Sequence, residues 1–290
     1  FSLDLENSQR RGLSPDCVVQ VGLDDIEPED IGLLRETLDL SDVAASAAYD
    51  LERRLGQGWL QRFLALEGVE QVYELADQLN VQGQALRALY NRLNRLRRFG
   101  FLVPHAQGDS VQRILDYLDR GMHVVLEFGR YGNDLTAYIL VSNLLTRRIH
   151  QRYVQRMEEA EAGSREPKPL MIVIEEAHKF LNPLVASQTI FGTIAREMRK
   201  YNVTLLVIDQ RPSAIDSEVM SQLGTKLCCL LDNERDVDAV LAGVSGAREL
   251  RSVLSRLESK QQALIFGHAL PMPVVVRTRE YGYSRSYSEL

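Results

Sequence analysis

The chain has 290 residues, of which 45% are hydrophobic and 26% charged, with a formal net charge of −6 at pH 7. That length can bury one large core or two smaller ones, and the composition is that of an ordinary soluble protein. The acidic balance argues against a generally basic nucleic-acid coat, though not against a local basic channel, and no apolar run reaches the length of a membrane span.

The chain begins Phe1-Ser2-Leu3-Asp4, with no initiator Met and no signal-peptide pattern. This start reads as a processed chain or as the downstream part of a longer one. Residues 1–25 predict two short strands around a polar turn, Cys17-Val18-Val19-Gln20-Val21 being the clearer. From Pro28 the character changes to helix-period stretches at 30–39, 41–55, 57–66, 69–80 and 82–99. Ser41-Asp42 and Gln82-Gly83 read as starts, and Gly56, Gly68 and Gly100 as stops. Leu86, Leu89, Leu93 and Leu96 give the last stretch an apolar face. Its Asn91–Arg98 segment carries four arginines, a solvated face or a binding surface for phosphate or an acidic partner.

After Gly108-Asp109 a helix is expected through Leu118, then a strand His123–Phe128. A long helix capped by Asn133 or Asp134 follows, with the stripe Leu135, Tyr138, Ser142, Leu145, Ile149 and Tyr153. Arg147, Arg148, Arg152 and Arg156 make its far end basic, and 157–168 reads as an exposed loop. Beyond it come a strand at Leu170–Ile174, a helix over 186–201, a strand Thr204–Ile208 and a turn at Asp209–Pro212. A short helix near 215–222, a strand Lys226–Leu231, helices near 233–242 and 246–258, and strands near 262–267 and 273–278 complete the order. Strands alternating with helices predict an α/β fold with a mostly parallel sheet. The three cysteines, Cys17, Cys228 and Cys229, have neither metal-ligand spacing nor the arithmetic of a disulfide framework. Cys228 and Cys229 read as reduced packing residues, which points to the cytosol.

The chemistry concentrates where apolar strands end in polar groups. Leu170–Ile174 runs into Glu175 and Glu176, the next strand ends at Asp209-Gln210-Arg211, and the third at Asp232-Asn233. In a parallel sheet such ends share one edge, the edge at which open α/β sheets bind ligands. Paired acids there match a nucleotide-triphosphatase Walker B strand, one acid serving Mg²⁺ and the next polarising the attacking water. A buried strand ending in solvated acids is the plainer alternative for one strand, and three in a row shift the reading toward a nucleotide site. On the intervening helix, Arg196, Arg199 and Lys200 either pair within the chain or project toward a neighbouring subunit. His178 is a site residue or a structural one. The phosphate-cradling G-x-x-x-x-G-K-[ST] loop occurs nowhere in the sequence. The chain by itself is therefore expected not to hydrolyse ATP.

The run IVIEEAHKFL, then IAREMRKYNVTLLVIDQRPSAID, then TKLCCLLDNERDVDAVLAG resembles the HerA family of HerA/FtsK-type hexameric DNA translocases over about residues 105 to 280. The resemblance implies a RecA-like P-loop NTPase core with an inserted helical bundle: 1–28 as partial core, 29–104 as insertion, and 105–290 as core with Walker B strand and C-terminal tail. It assigns Glu176 to water activation, Glu175 to Mg²⁺ (a departure from the family's usual Asp), and Gln210 to sensing the γ-phosphate, with Arg211 beside it. Arg196 or Arg199 would be the arginine finger supplied in trans. The family's N-terminal barrel and Walker A loop are absent from this stretch. ATP and Mg²⁺ as cofactors, a hexameric ring around double-stranded DNA, and a nuclease partner such as NurA or a defence effector are likewise implied. A conjugation-type ring ATPase and a non-hydrolysing scaffold module are the alternatives.

Overall fold

The computed structural model describes residues 1–163, 166–184, 186, 189–197, 202–280 and 282, without the side chains of 161, 193, 196 and 197. The chain divides into two units, Phe1–Pro169 and Leu170–Leu290.

The first unit opens with an extended Ser2 that bridges in parallel to both Val18 and Glu127. In the predicted strands at 17–21 and 123–128, Val18 and Glu127 each make a single bridge to the Ser2 between them, while Val21 enters a short regular strand. The expected turn is instead helix α1 (Leu5–Arg10), started by Asp4, whose carboxylate accepts from the Asn7 amide at 3.1 Å. Strand β1 (Val21–Gly22) then gives way to α2 (Pro28–Leu33), α3 (Asp42–Leu55), α4 (Trp59–Leu64), α5 (Val69–Leu79) and α6 (Gly83–Leu93). A 3₁₀ turn at Asn94–Arg98 and strand β2 (Leu102–Val103) follow. Strand β2 pairs in parallel with β1, Val21 opposite Leu102, so the helical block leaves and re-enters the chain at one place.

Local signals set the block's boundaries. Ser41 caps α3 by accepting from the Ala44 amide at 3.2 Å, and Gly56 ends it with φ +72°. Gly68 differs from expectation: it precedes α5 rather than stopping α4. The core is apolar and closed, with Leu51, Leu60, Phe63, Leu86, Leu89 and Leu93 fully buried. Trp59 joins them, and its indole N–H donates to the Ile26 carbonyl at 3.1 Å. Of the four clustered arginines, Arg92 pairs with Asp39, Arg97 donates to the Leu64 carbonyl and Arg98 pairs with Asp134. Those three guanidinium groups are engaged in holding the unit together.

Helix α7 (Ser110–Asp119) is capped by Asp109, and α8 (Leu135–Glu161) by Asp134. The second helix runs five residues into the predicted loop. Its buried face is wider than the predicted stripe: Leu145 and Tyr153 are buried as expected, Ala137, Leu140, Val141 and Leu144 are buried beside them, and Leu135 is 44% exposed. The reason is that α2, α7 and the turn at Gly129–Asn133 cover this helix from several sides. Its basic end is neutralised locally, Arg148 by Asp25 at 3.3 Å and Asp109 at 3.4 Å, and Arg156 by Asp119 at 2.9 Å.

Asp30 fastens the helical block to α8. Its buried carboxylate accepts from the Glu27 amide and from Arg147, each at 2.9 Å, and from Asn143 at 3.4 Å. Arg147 also pairs with Glu27. Burial pushes the Asp30 carboxyl up to about 6 against the opposing pull of Arg147.

In the second unit β3 (Leu170–Glu175) and β4 (Val203–Ile208) pair in parallel over six positions, from Leu170 opposite Val203 to Glu175 opposite Ile208. Between them lie α9 (His178–Leu181) and α10 (Ile190–Glu197). The sequence reads β3 as buried on both faces; here Met171 is 57% and Val173 52% exposed, while Ile174 is buried. Period-2 alternation puts Met171, Val173, Leu206 and Ile208 on one open apolar face.

After α11 (Ser217–Gln222) the strands β5 (Thr225–Cys228), β6 (Gln262–Gly267) and β7 (Val274–Arg277) form an antiparallel sheet of their own. A β6–β7 connection this short permits only antiparallel pairing, whereas a parallel pair needs a crossover. Helices α12 (Glu234–Leu241) and α13 (Ala247–Leu254) close the core over β5 and β6 through Val237, Val240, Leu241, Leu250 and Leu254 against Leu264 and Phe266. Cys228 belongs to this core, and burial pushes its thiol up to about 11, which keeps it an inert thiol. Cys229 differs from expectation in being exposed.

Candidate functional site

The parallel register of β3 and β4 brings two of the three predicted strand ends together. Glu175, exposed, stands opposite Ile208, so Glu176 and Asp209 begin the two loops that leave the same edge. The third strand belongs to a different sheet: β5 pairs with β6, and Asn233 caps α12 by accepting from the Arg235 amide at 2.9 Å. The predicted convergence of Asp232-Asn233 with the other two is therefore not made by sheet pairing. A link does run from that side, because the buried Asp236 accepts from the Ser213 amide at 3.0 Å and fixes the loop after Arg211.

Glu176 leaves the strand with φ +53°, a left-handed conformation that costs a non-glycine residue about 1–3 kcal/mol and persists only where neighbours enforce it. Here the Glu176 carbonyl accepts from the Lys179 amide at 3.0 Å, and the next amide, Ala177, donates to the Ile208 carbonyl at 3.4 Å. The turn separates the two acids, leaving Glu175 on the strand and carrying Glu176 into the loop.

Beneath Glu176 lies a polar contact that the sequence shows only in part. Asp209, its side chain 3% exposed, accepts through Oδ2 from the His178 backbone amide at 2.7 Å and interacts with His178 Nδ1 at 2.8 Å. Its Oδ1 accepts from the Arg211 amide at 2.6 Å. The opposite ring nitrogen, Nε2, is 3.7 Å from Glu176 Oε2. Burial acts to raise the Asp209 carboxyl, but the amides of His178 and Arg211 together with the His178 ring outweigh it and hold Asp209 below the ordinary carboxylate value. A carboxyl lowered on folding contributes stability that is present above its unfolded pKa and lost as pH falls through its folded value. Acid unfolding of this unit should therefore start below about pH 4, and Asp209→Asn should flatten that part of the curve; a denaturation series across pH 2–6 checks it.

Gln210 and Arg211 are exposed beside Asp209. Arg196 lies on α10, its side chain outside the described ones, and Arg199 lies outside the described residues. Chemically, the edge offers a solvent-facing carboxylate for a hard cation, a second carboxylate able to take a proton from water, and a histidine anchored beside it. Asp209 and Asp236 were missed as positioning groups: strand-final position was a signal for the first, and nothing local marks the second.

No protein-family model matches the chain. A stretch of 112 residues is 38% identical to the DNA double-strand break repair helicase HerA of Pyrococcus furiosus, covering 38% of this chain and 20% of that protein. The HerA of Sulfurisphaera tokodaii is 26% identical over 223 residues, 76% of this chain and 43% of that protein. The chain thus spans less than half the length of these curated relatives. Among solved structures, VirB4 of Thermoanaerobacter pseudethanolicus superposes with a TM-score of 0.55 at 15% identity, covering 98% of this chain and 81% of that one. That likeness shows a shared fold. The sequence matches show a likeness to HerA proteins over part of the chain.

Proposed function

We propose that this chain is the water-activating half of an ATP-hydrolysing motor that moves along double-stranded DNA. The observation that carries the reading is the parallel β3–β4 edge, with Glu175 and Glu176 at the end of one strand and Asp209-Gln210 at the end of the other. Glu176 serves as the base that orients and deprotonates the attacking water, and Gln210 senses the γ-phosphate. Arg211 contributes charge beside the nucleotide, and Arg196 or Arg199 is the finger supplied to a neighbouring subunit. Phosphoryl transfer asks mainly for positioning and charge stabilisation, which side chains on a strand edge can provide.

The donor set fits Mg²⁺. That ion takes one or two carboxylates and completes its octahedron with water and phosphate oxygens, and Glu175 is an exposed carboxylate at the strand end. When bound, Mg²⁺ neutralises charge on the β- and γ-phosphates. The β- and γ-phosphates also need the backbone cradle and lysine of a G-x-x-x-x-G-K-[ST] loop, which this stretch does not carry. Turnover is accordingly a property of the full-length protein.

In that protein the helical block 29–104 is an insertion into the core and a docking surface for a nuclease of the NurA kind. The protein assembles as a hexameric ring, with duplex DNA held in the channel through salt-sensitive phosphate contacts. The names of the HerA relatives, which describe repair helicases, support this reading. The test is ATP hydrolysis by the full-length protein with linear duplex, single-stranded DNA or neither. Stimulation by duplex that fades as salt rises is expected. Stimulation by single strands alone would favour a conjugation-type motor, and no hydrolysis under any condition would favour a scaffold.

A further inference from the structure

We propose that His178 is a positioning residue that holds the Glu176 carboxylate in line with the end of β4. The inference rests on the reading of Glu176 as the water-activating base and adds to it the group that aims that base.

Three observations converge on the imidazole. Asp209 commits both oxygens, Oδ2 to the His178 amide and ring in the loop after β3 and Oδ1 to the Arg211 amide in its own turn. A buried carboxylate satisfied in this way stays ionised and still, so it is a fixed anchor. With Nδ1 turned to that anchor, Nε2 is the ring atom left to face outward, and it faces Glu176 Oε2. Their separation, 3.7 Å, is longer than a hydrogen bond. Contacts of this type are often long without ligand and tighten when substrate is bound. The third observation is the backbone of Glu176, whose φ of +53° carries it off the strand line that Glu175 keeps.

A purely structural role explains only part of this. Tying the loop after β3 to the loop after β4 requires the Asp209–Nδ1 contact and the His178 amide. It does not require the opposite edge of the ring to lie against an acid. In the positioning role both edges are used, and the link has a direction: β4 ends in Asp209, Asp209 fixes His178, and His178 limits where the Glu176 carboxylate can swing. Because Gln210 directly follows Asp209, a shift of the β4 loop on meeting a phosphate reaches Glu176 through a single side chain. Outer-shell partners of this kind are worth roughly 10–100-fold in function when removed.

The decisive variant is His178→Asn, whose amide replaces Nδ1 toward Asp209 and leaves nothing at the place of Nε2. In the full-length protein we expect wild-type thermal stability, an unchanged KM for ATP, and kcat lowered roughly 10–100-fold. A nitrogen-detected spectrum of ¹⁵N-histidine-labelled, nucleotide-free chain supplies a second readout that needs no turnover. Nδ1 should carry a proton toward Asp209 and Nε2 a proton toward Glu176, since a bare Nε2 cannot bond a carboxylate, and Asp209→Asn should weaken that pattern. Wild-type kcat in His178→Asn, with Glu176→Gln inactive, overturns the inference and leaves the role of Glu176 standing. A His178 Nε2 that carries no proton overturns it as well. Wild-type turnover in Glu176→Gln removes the reading of Glu176 itself, and this inference with it.

Discussion

Replacing Glu176 by Gln in the full-length protein is expected to remove ATP turnover and leave ATP binding intact. The substitution keeps the length and shape of the side chain and removes only its ability to accept a proton. A positioned general base contributes roughly 10²–10⁴-fold to such a step, so the variant falls to background while nucleotide still enters. The effect is specific to position: Glu175 is on the strand and opposite Ile208, whereas Glu176 is turned out of it at φ +53°. Steady-state hydrolysis measured beside equilibrium binding of a fluorescent ATP analogue separates the two. Loss of both together would mean that the residue supports the fold rather than the chemistry.

The second large effect lies in the first unit. Asp30→Ala should destabilise it by about 3–5 kcal/mol, the range for breaking a buried ion pair by removing one partner. Arg147, its side chain 12% exposed, would keep only Glu27, and the Glu27 amide and Asn143 would lose an acceptor. Denaturant unfolding followed by Trp59 fluorescence reads this unit directly, because the chain's single tryptophan is buried in the helical block. A change below about 1 kcal/mol, the range of an exposed salt bridge, would contradict the account. The pH dependence has the opposite sign to that of Asp209. A carboxyl raised to about 6 binds its proton more tightly folded than unfolded. Its contribution is therefore full below the unfolded value, near 4, and is lost as pH rises through about 6. Mild acid should strengthen the Asp30 site in the wild type, and Asp30→Asn should remove that trend.

The sequence disclosed most where a single local rule decides the outcome. Ser41 and Asp134 start helices through side-chain caps, Gln82 precedes a helix read from its apolar period alone, and β3 and β4 follow from short apolar runs ended by acids. The pairing of the first two strand ends, and with it the candidate site, was legible for the same reason. What was not legible depends on partners distant in sequence. The segment 123–128 has the composition of a strand, yet it forms one bridge, because its neighbour is the short Ser2 region. The buried face of α8 was only partly read: Leu145 and Tyr153 are buried as expected, but contacts with α2 and α7 bury more of the helix than a single stripe. The antiparallel β5–β6–β7 sheet breaks the parallel pattern, so the strand before Asp232-Asn233 does not pair with β3 or β4. Asp236, which holds the loop after Arg211 from another helix, carries no motif at all.

The role of Asp209 illustrates the same limit within the site. As the last residue before Gln210 it looked like one more polar strand end, a group that would meet the ligand. Its burial and its bonds to His178 and Arg211 make it an internal anchor, which places the ligand-facing chemistry on its neighbours.

The central claim is that the carboxyl ends of β3 and β4 form one side of an ATP site. Its most direct test is a structure of the full-length protein with Mg²⁺ and a non-hydrolysable ATP analogue. The account predicts the γ-phosphate beside Gln210, with a water between it and the Glu176 carboxylate at about 2.6–3.2 Å from the latter. Nucleotide bound away from these two strand ends, with Glu175 and Glu176 both facing bulk solvent, would contradict it.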